Sequence, residues 1–204
     1  MEGVAVIIFI LYMETWFFMD KRKIKEAVQL FLEAIGENPQ REGLKETPDR
    51  IVKMCQEIFD GIEKKDANEL CKTFHSPYAG IVLEKDIPFY SMCEHHILPF
   101  FGKVHVGYVP DKRVVGLSKI SRVVDLFSKR LQIQENMGHL IAKTLTDELC
   151  AKGSIVMIEA EHTCMTMRGV KKFGSKTVTV SKNGVFKENF DLEREFFEML
   201  GRFA

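Results

Sequence analysis

The six residues Ser91-Met92-Cys93-Glu94-His95-His96 include a thiol, a carboxylate and two imidazoles in four consecutive positions. Cysteine and histidine three apart on a turn can aim at one ion, as in the Cys-x-x-Cys and Cys-x-x-His spacings of zinc sites. Thiolate with imidazole suits zinc better than calcium or magnesium. Two ligands alone hold a metal poorly. A second thiol and imidazole cluster, Glu161-His162-Thr163-Cys164, supplies a third, so Cys93, His96 and Cys164 are the candidate ligands of one Zn2+. A structural zinc is closed by four side chains, whereas a catalytic zinc keeps one position for a water whose pKa it lowers. Three ligands therefore point to hydrolytic chemistry. His95 and His162 are left as proton carriers, because an imidazole pKa of about 6.5 allows both donation and acceptance. Two plainer readings stay open: a structural zinc completed by His95 or His162, and buried cysteines beside hydrogen-bonded core histidines. Cys55, Cys71 and Cys150 fall on helical or linker pattern and read as ordinary thiols.

A second chemistry is suggested by Gly116-Leu117-Ser118-Lys119-Ile120-Ser121-Arg122, where a serine opens a helix whose free N–H groups attract phosphate, with Lys119 and Arg122 beside it. A capped helix with a solvated basic face explains the same residues. Arg168, four residues after Cys164, adds a guanidinium near the metal region. Gln134-Glu135 starts the next helix with a carboxylate able to accept two hydrogen bonds from the amide and amino edge of a purine. An isolated glutamate at a helix start is also a common surface complement to the helix dipole.

The elements that must carry these groups follow from periodicity. Ile24, Ala27, Val28, Phe31, Leu32 and Ile35 recur at helical spacing before Gly36, and Thr47-Pro48-Asp49 gives an N-cap, a proline and an acid to a second helix ending near Gly61. Strands are expected at 80–86, 88–92, 102–110, 154–161 and 176–180, with β-branched and aromatic residues between glycine and proline boundaries. Helical spacing returns at 118–131 and 134–150, and a last helix covers about 192–200. The order of strand pair, helix pair and strand pair predicts an α+β fold with a largely antiparallel sheet covered by helices on one face. The chain divides into an apolar leader at 1–18, an N-terminal helical region at 19–75 and a catalytic domain at 76–204.

The 204 residues carry 29 basic and 29 acidic side chains, so no global field draws the chain to nucleic acid. Five dispersed cysteines fit a reducing, cytoplasmic compartment better than a disulfide framework. The leader is nearly continuous hydrocarbon from Val4 to Met13. It is broken by Glu14, shorter than the roughly 20 apolar residues of a membrane span, and lacks the basic start of a secretion signal. No membrane association is expected; an upstream translation start or an extra interface segment accounts for it.

Taken together, the blocks Ser91 to His96, Gly116 to Ile120, Gln132 to Glu135 and Glu161 to Val170, with Glu46 to Met54 before them, resemble GTP cyclohydrolase I. The likeness runs from about Asp20 to the C-terminus. It implies a tunnelling fold, with an antiparallel four-stranded sheet and a helix pair on one face, preceded by the N-terminal helical unit. It further implies a homodecamer whose active sites form between subunits. The substrate is then GTP, opened at C8 of the guanine ring with loss of formate and reclosed to 7,8-dihydroneopterin triphosphate, the first step of tetrahydrofolate and pterin biosynthesis. Zinc falls to the positions of Cys93, His96 and Cys164, the set reached above from spacing. His162 and His95 take the catalytic roles, and Glu135 with backbone near Gln134 reads guanine. Ser118, Lys119, Arg122, Arg168, Lys53 and Arg50 bind the triphosphate. The chain departs from the family pattern after Ser175-Lys176-Thr177-Val178-Thr179, where Val180 to Asn183 precede Gly184-Val185-Phe186 in place of small residues. A catalytically silent zinc scaffold of the same fold, or a relative acting on a preformed pterin or deazapurine, are the rival readings.

Overall fold

The computed structural model describes residues 19–64, 72–149 and 151–201, so the apolar leader, Cys71 and Cys150 lie outside the described residues. Contacts group the chain into two compact units, one ending at Glu63 and one beginning at Lys64.

In the first unit, α1 (Lys21–Ala34) is capped by Asp20, whose carboxylate accepts from the N–H groups of Arg22 and Lys23. It ends where Gly36 takes a φ of +86°, a conformation glycine adopts without cost. α2 (Thr47–Ile58) has Pro48 at its start; Glu46 rather than Thr47 occupies the cap position, and its side chain makes no capping bond. The Lys25–Asp49 ion pair links the two helices, and a separate turn, α3 (Asp60–Glu63), follows.

The second unit is built on a five-stranded sheet. Its elements are β1 (Thr73–His75), β2 (Val82–Cys93), β3 (Leu98–Val109), β4 (Arg113–Val115), α4 (Leu117–Ser128), β5 (Leu131–Gln132), α5 (Gln134–Glu148), β6 (Gly153–His162), α6 (Thr163–Thr166) and β7 (Thr177–Gly184). A 3-10 turn and α7 (Phe190–Met199) close the chain. The strand order is β5-β2-β3-β6-β7, antiparallel except for β5, and β1 pairs with β4 in a separate two-stranded ribbon. The α+β class holds, but the sheet is mixed and has five strands where four antiparallel ones were expected. The two strands predicted at 80–86 and 88–92 are one, because the break between them is a bulge. The register shifts between Glu84 and Ile87, and Asp86 sits at φ +62°.

Alternation along the strands sorts the core. Val104, Val106 and Tyr108 of β3 and Val156, Ile158 and Ala160 of β6 face α4 and α5, packing with Ile120, Val124, Met137, Ile141 and Leu145. Burying each such side chain contributes about 1.5–3 kcal/mol. Ile155 and Met157 alternate with these and face the other way, onto Phe186 and Phe196. Helices therefore cover both faces in part, contrary to the one-face expectation, and α7 starts at Phe190 because Asn189 caps it.

Gly102 of β3 has no room for a side chain against β6. A Cβ there would lie 1.9 Å from the Glu159 carbonyl oxygen of β6, and that same ladder pairs Phe100 with His162. Gly102→Ala is expected to cost at least about 2 kcal/mol by forcing β3 from β6, read as a lowered melting temperature; a melt unchanged from the parent would refute this packing.

Candidate functional site

The site forms where strands end together. Cys93 is the last residue of β2, and the Glu94–Ile97 turn carries His95 and His96 back toward β3. β5 lies parallel to β2 with Gln132 opposite Cys93, so α5 begins two residues on with Gln134 and Glu135. β6 ends at His162, in register with Phe100, and α6 presents Cys164 in its single turn. The Thr163 hydroxyl ties that turn to β3 by donating to the Pro99 carbonyl at 2.6 Å. Sheet register, rather than proximity in sequence, brings 93–96 to 162–168.

Cys93, His96 and Cys164 place their donor atoms within 4.8 Å of one another, the one metal-capable group of three among the described residues. Cys93 is buried, and its sulfur is 3.9 Å from Nδ1 of both His95 and His96. Bonds of about 2.3 Å to sulfur and 2.0–2.1 Å to nitrogen set tetrahedral donors roughly 3.5–3.8 Å apart. Donor types and spacing thus fit zinc, with modest side-chain rotation. Burial raises the Cys164 thiol pKa, and the neighbouring Cys93 sulfur raises it further. Two sulfurs so placed resist ionising together, and a cation between them removes that cost.

His162 stands beside this cluster and outside the mutually close set. Its ring stacks on Phe100 at 4.6 Å with 4° between planes, and its Nε2 meets Gln134 Oε1 at 2.8 Å. Burial pushes its pKa below the usual imidazole range, against the pull of the Glu135 carboxylate. The ring is therefore neutral near pH 7 and able to accept a proton. Phe100 was not singled out from sequence, although it alternates with Phe101 on a strand whose other residues mark the buried face. Arg168 donates to His96 Nε2 at 2.9 Å, placing a guanidinium at the rim of the cluster.

A family model described as GTP cyclohydrolase I matches residues 24–201. The chain belongs to the GTP cyclohydrolase I family. Relatives named GTP cyclohydrolase 1 are 57% identical over 182 residues in Clostridium kluyveri, covering 89% of this chain and 98% of that one. They are 53% identical in Clostridium perfringens strain 13, with the same coverages, and 52% identical over 183 residues in Finegoldia magna, covering 90% and 100%. A solved structure, the archaeosine synthase QueF-Like in its apo form, aligns with TM-score 0.42 and 16% identity over 52% of this chain and 96% of that one, a likeness too slight to bear on fold or activity. Membership of GTP cyclohydrolase I at this identity and coverage makes the chain an enzyme of that type.

Among the other candidate residues, Ser118 and Lys119 do not lie at the cluster within one chain. α4 starts at Leu117, with Gly116 at the cap and no side-chain capping bond, so Ser118 lies exposed in the first turn. The Val115 N–H donates to the Tyr108 hydroxyl, and Tyr108 pairs with Val82. The start of α4 therefore sits at the end of the sheet where β2 begins, and Cys93 is at the other end, on the order of 30 Å of strand away. Ser118 and Lys119 belong to that far end, and Arg122 is one turn further along the helix. Arg50 and Lys53 lie on α2 of the N-terminal unit, where Arg50 pairs with Glu46 across exposed surface. Glu135 is exposed at the start of α5.

The raised Cys164 pKa gives a crossed pH dependence. Without metal, the folded protein holds this proton more tightly than the unfolded chain, so stability present below the ordinary thiol range is lost as pH rises through the folded value. With metal the thiolate is required, so retention is lost as pH falls. Melting temperatures of zinc-loaded and metal-stripped protein across pH should show opposite slopes; parallel slopes would contradict a cysteine-ligated metal.

Proposed function

We propose that this chain is a zinc-dependent GTP cyclohydrolase I that hydrolyses the guanine imidazole ring of GTP at C8, releases formate and yields 7,8-dihydroneopterin triphosphate, the first step of tetrahydrofolate and pterin biosynthesis. The observation that carries the reading is the mutual approach of Cys93, His96 and Cys164 within 4.8 Å beside an intact His162. Those three residues would hold zinc, which when bound supplies a polarised water at its open position.

The protein's own groups divide the rest. His162, neutral at rest because of burial, takes up a proton from solvent on its free ring nitrogen and gives it to the purine nitrogen next to C8. His95, exposed on the turn beside Cys93, assists rearrangement on the ribose side. Glu135, with the backbone near Gln134, reads the amide and amino edge of guanine, and adenine is rejected because its donor pattern leaves the carboxylate unmatched. Arg168 at the rim, with Ser118, Lys119, Arg122, Lys53 and Arg50, binds the triphosphate as a dispersed set of cations and N–H groups.

The position of Ser118 and Lys119 at the far end of the sheet supports a site completed by a neighbouring subunit. We take the assembly to be a homo-oligomer, a decamer of tunnelling-fold subunits with the N-terminal helical region at 19–75 and catalytic domain at 76–204. The alternative of a silent scaffold is disfavoured by the hydrogen-bonded, ring-stacked His162, an arrangement that zinc retention alone does not need. The neutral charge balance gives nucleic acid no attraction. Among the described residues no helix is long and apolar enough to cross a membrane, and a cytoplasmic location suits the free thiols.

Zinc per subunit and formate released from GTP separate the roles. Cys164→Ser and His96→Ala are expected to lose both metal and formate release. His162→Ala is expected to keep the metal and lose activity by at least about a hundredfold. Equal zinc loss in all three variants would mean the proton-transfer role is misassigned.

A further inference from the structure

We propose that Gln134 is a positioning residue for His162: its side-chain amide oxygen holds a hydrogen on Nε2 and leaves Nδ1 as the nitrogen open to proton transfer with substrate. The inference rests on the reading of His162 as the acid–base group and adds the device that sets which of its two nitrogens is used.

The orientation of the amide is decided by the sheet. Gln134 is buried, with 1% exposure, and its Nε2 lies 3.2 Å from the Ile158 carbonyl oxygen, 3.1 Å from the Thr177 carbonyl oxygen and 3.0 Å from the Thr179 hydroxyl. Two of those three partners are backbone carbonyls, which only accept, so the atom facing them must be the NH2 group. Turned over, the amide would press its oxygen against two carbonyl oxygens in a buried pocket and lose both of those hydrogen bonds. Oε1 is thereby fixed toward His162, 2.8 Å from its Nε2. An amide oxygen also only accepts, so His162 Nε2 must carry the hydrogen. In the neutral ring the lone pair then belongs to Nδ1.

The ring has little freedom to escape this arrangement. Its face is stacked on Phe100, its backbone ends β6 in register with that same residue, and its Nε2 edge is bound. The chain of constraint runs from the β6 and β7 carbonyls through one amide to one imidazole, the way a second partner sets the tautomer of a catalytic histidine elsewhere in proteins. Gln134 also joins α5 to the sheet, so a loss of stability on substitution would show only that contact; the test must read the proton.

The test uses full-length, zinc-loaded protein labelled with 15N-histidine, alongside the Gln134→Met variant, which keeps length and removes both the acceptor and the donors. In wild type, His162 should give a ring N–H resonance assigned to Nε2 and protected from solvent exchange by its buried acceptor. In Gln134→Met that resonance should be lost to exchange with water, and kcat with GTP should fall at least about tenfold while KM stays within about twofold. A wild-type proton on Nδ1, a protected Nε2 resonance that survives in Gln134→Met, or an unchanged kcat would each overturn the proposal. If the variant does not fold, the wild-type resonance decides alone, a proton on Nδ1 counting against and a protected proton on Nε2 counting for. Absence of formate from wild type with GTP would remove the catalytic reading of His162, while the resonance would still report whether Gln134 sets its proton.

Discussion

Two cysteine sulfurs and an imidazole nitrogen are held close at the end of a sheet, and the rest of the second unit is arranged around that fact. Cys93 and Cys164 are 71 positions apart in the chain, yet the Cys164 thiol feels both burial and the Cys93 sulfur, each of which disfavours its ionisation. Such a pair is awkward in a protein without a cation and stable with one, because a metal replaces two protons and converts mutual repulsion into shared attraction. The cluster is therefore a group that could hold a metal ion, placed by the strand ends.

Maintaining it requires long, continuous strands. β2, β3 and β6 each run ten or more residues, and their hydrogen-bonded registers carry Cys93, Phe100 and His162 to the same end of the sheet. The buried faces of α4 and α5 keep those registers, since a slip by one residue would turn Val104, Val106, Val156 and Ile158 out of the core. The opposite end of the sheet holds the start of α4. Ser118 and Lys119, at the start of that helix, are therefore separated from Cys93 by the length of the sheet.

The parts legible in the sequence were those with local signatures. Cys-x-x-His spacing and a third thiol beside a strand pointed to Cys93, His96 and Cys164, which the fold does bring together, and helical periodicity located α1, α2, α4 and α5 to within a few residues. What escaped were features set by partners distant in sequence. β5 has two residues, too few for an alternation pattern, and is defined by pairing with β2. The bulge at Asp86 reads in the sequence as a break between strands because Pro88 follows it, and proline is a strand boundary signal. α7 covers the face opposite α4 and α5 because Ile155 and Met157 point away from Val156 and Ile158, and a run of consecutive apolar residues does not disclose which helix will cover which side. For Gln134 the sequence suggested a role only for the backbone nearby, and the hydrogen bonds of its side-chain amide to β6, β7 and His162 are set by residues distant in sequence. The dispersed phosphate-binding candidates show the same limit: nothing in their local pattern says which end of the sheet, or which subunit, they serve.

Zinc-edge X-ray absorption on the zinc-loaded protein tests the central claim most directly. The account predicts two sulfur neighbours at about 2.3 Å, one imidazole nitrogen at about 2.0–2.1 Å and one further light atom from solvent. A shell with two imidazoles, or with any fourth side chain in the solvent position, would contradict it.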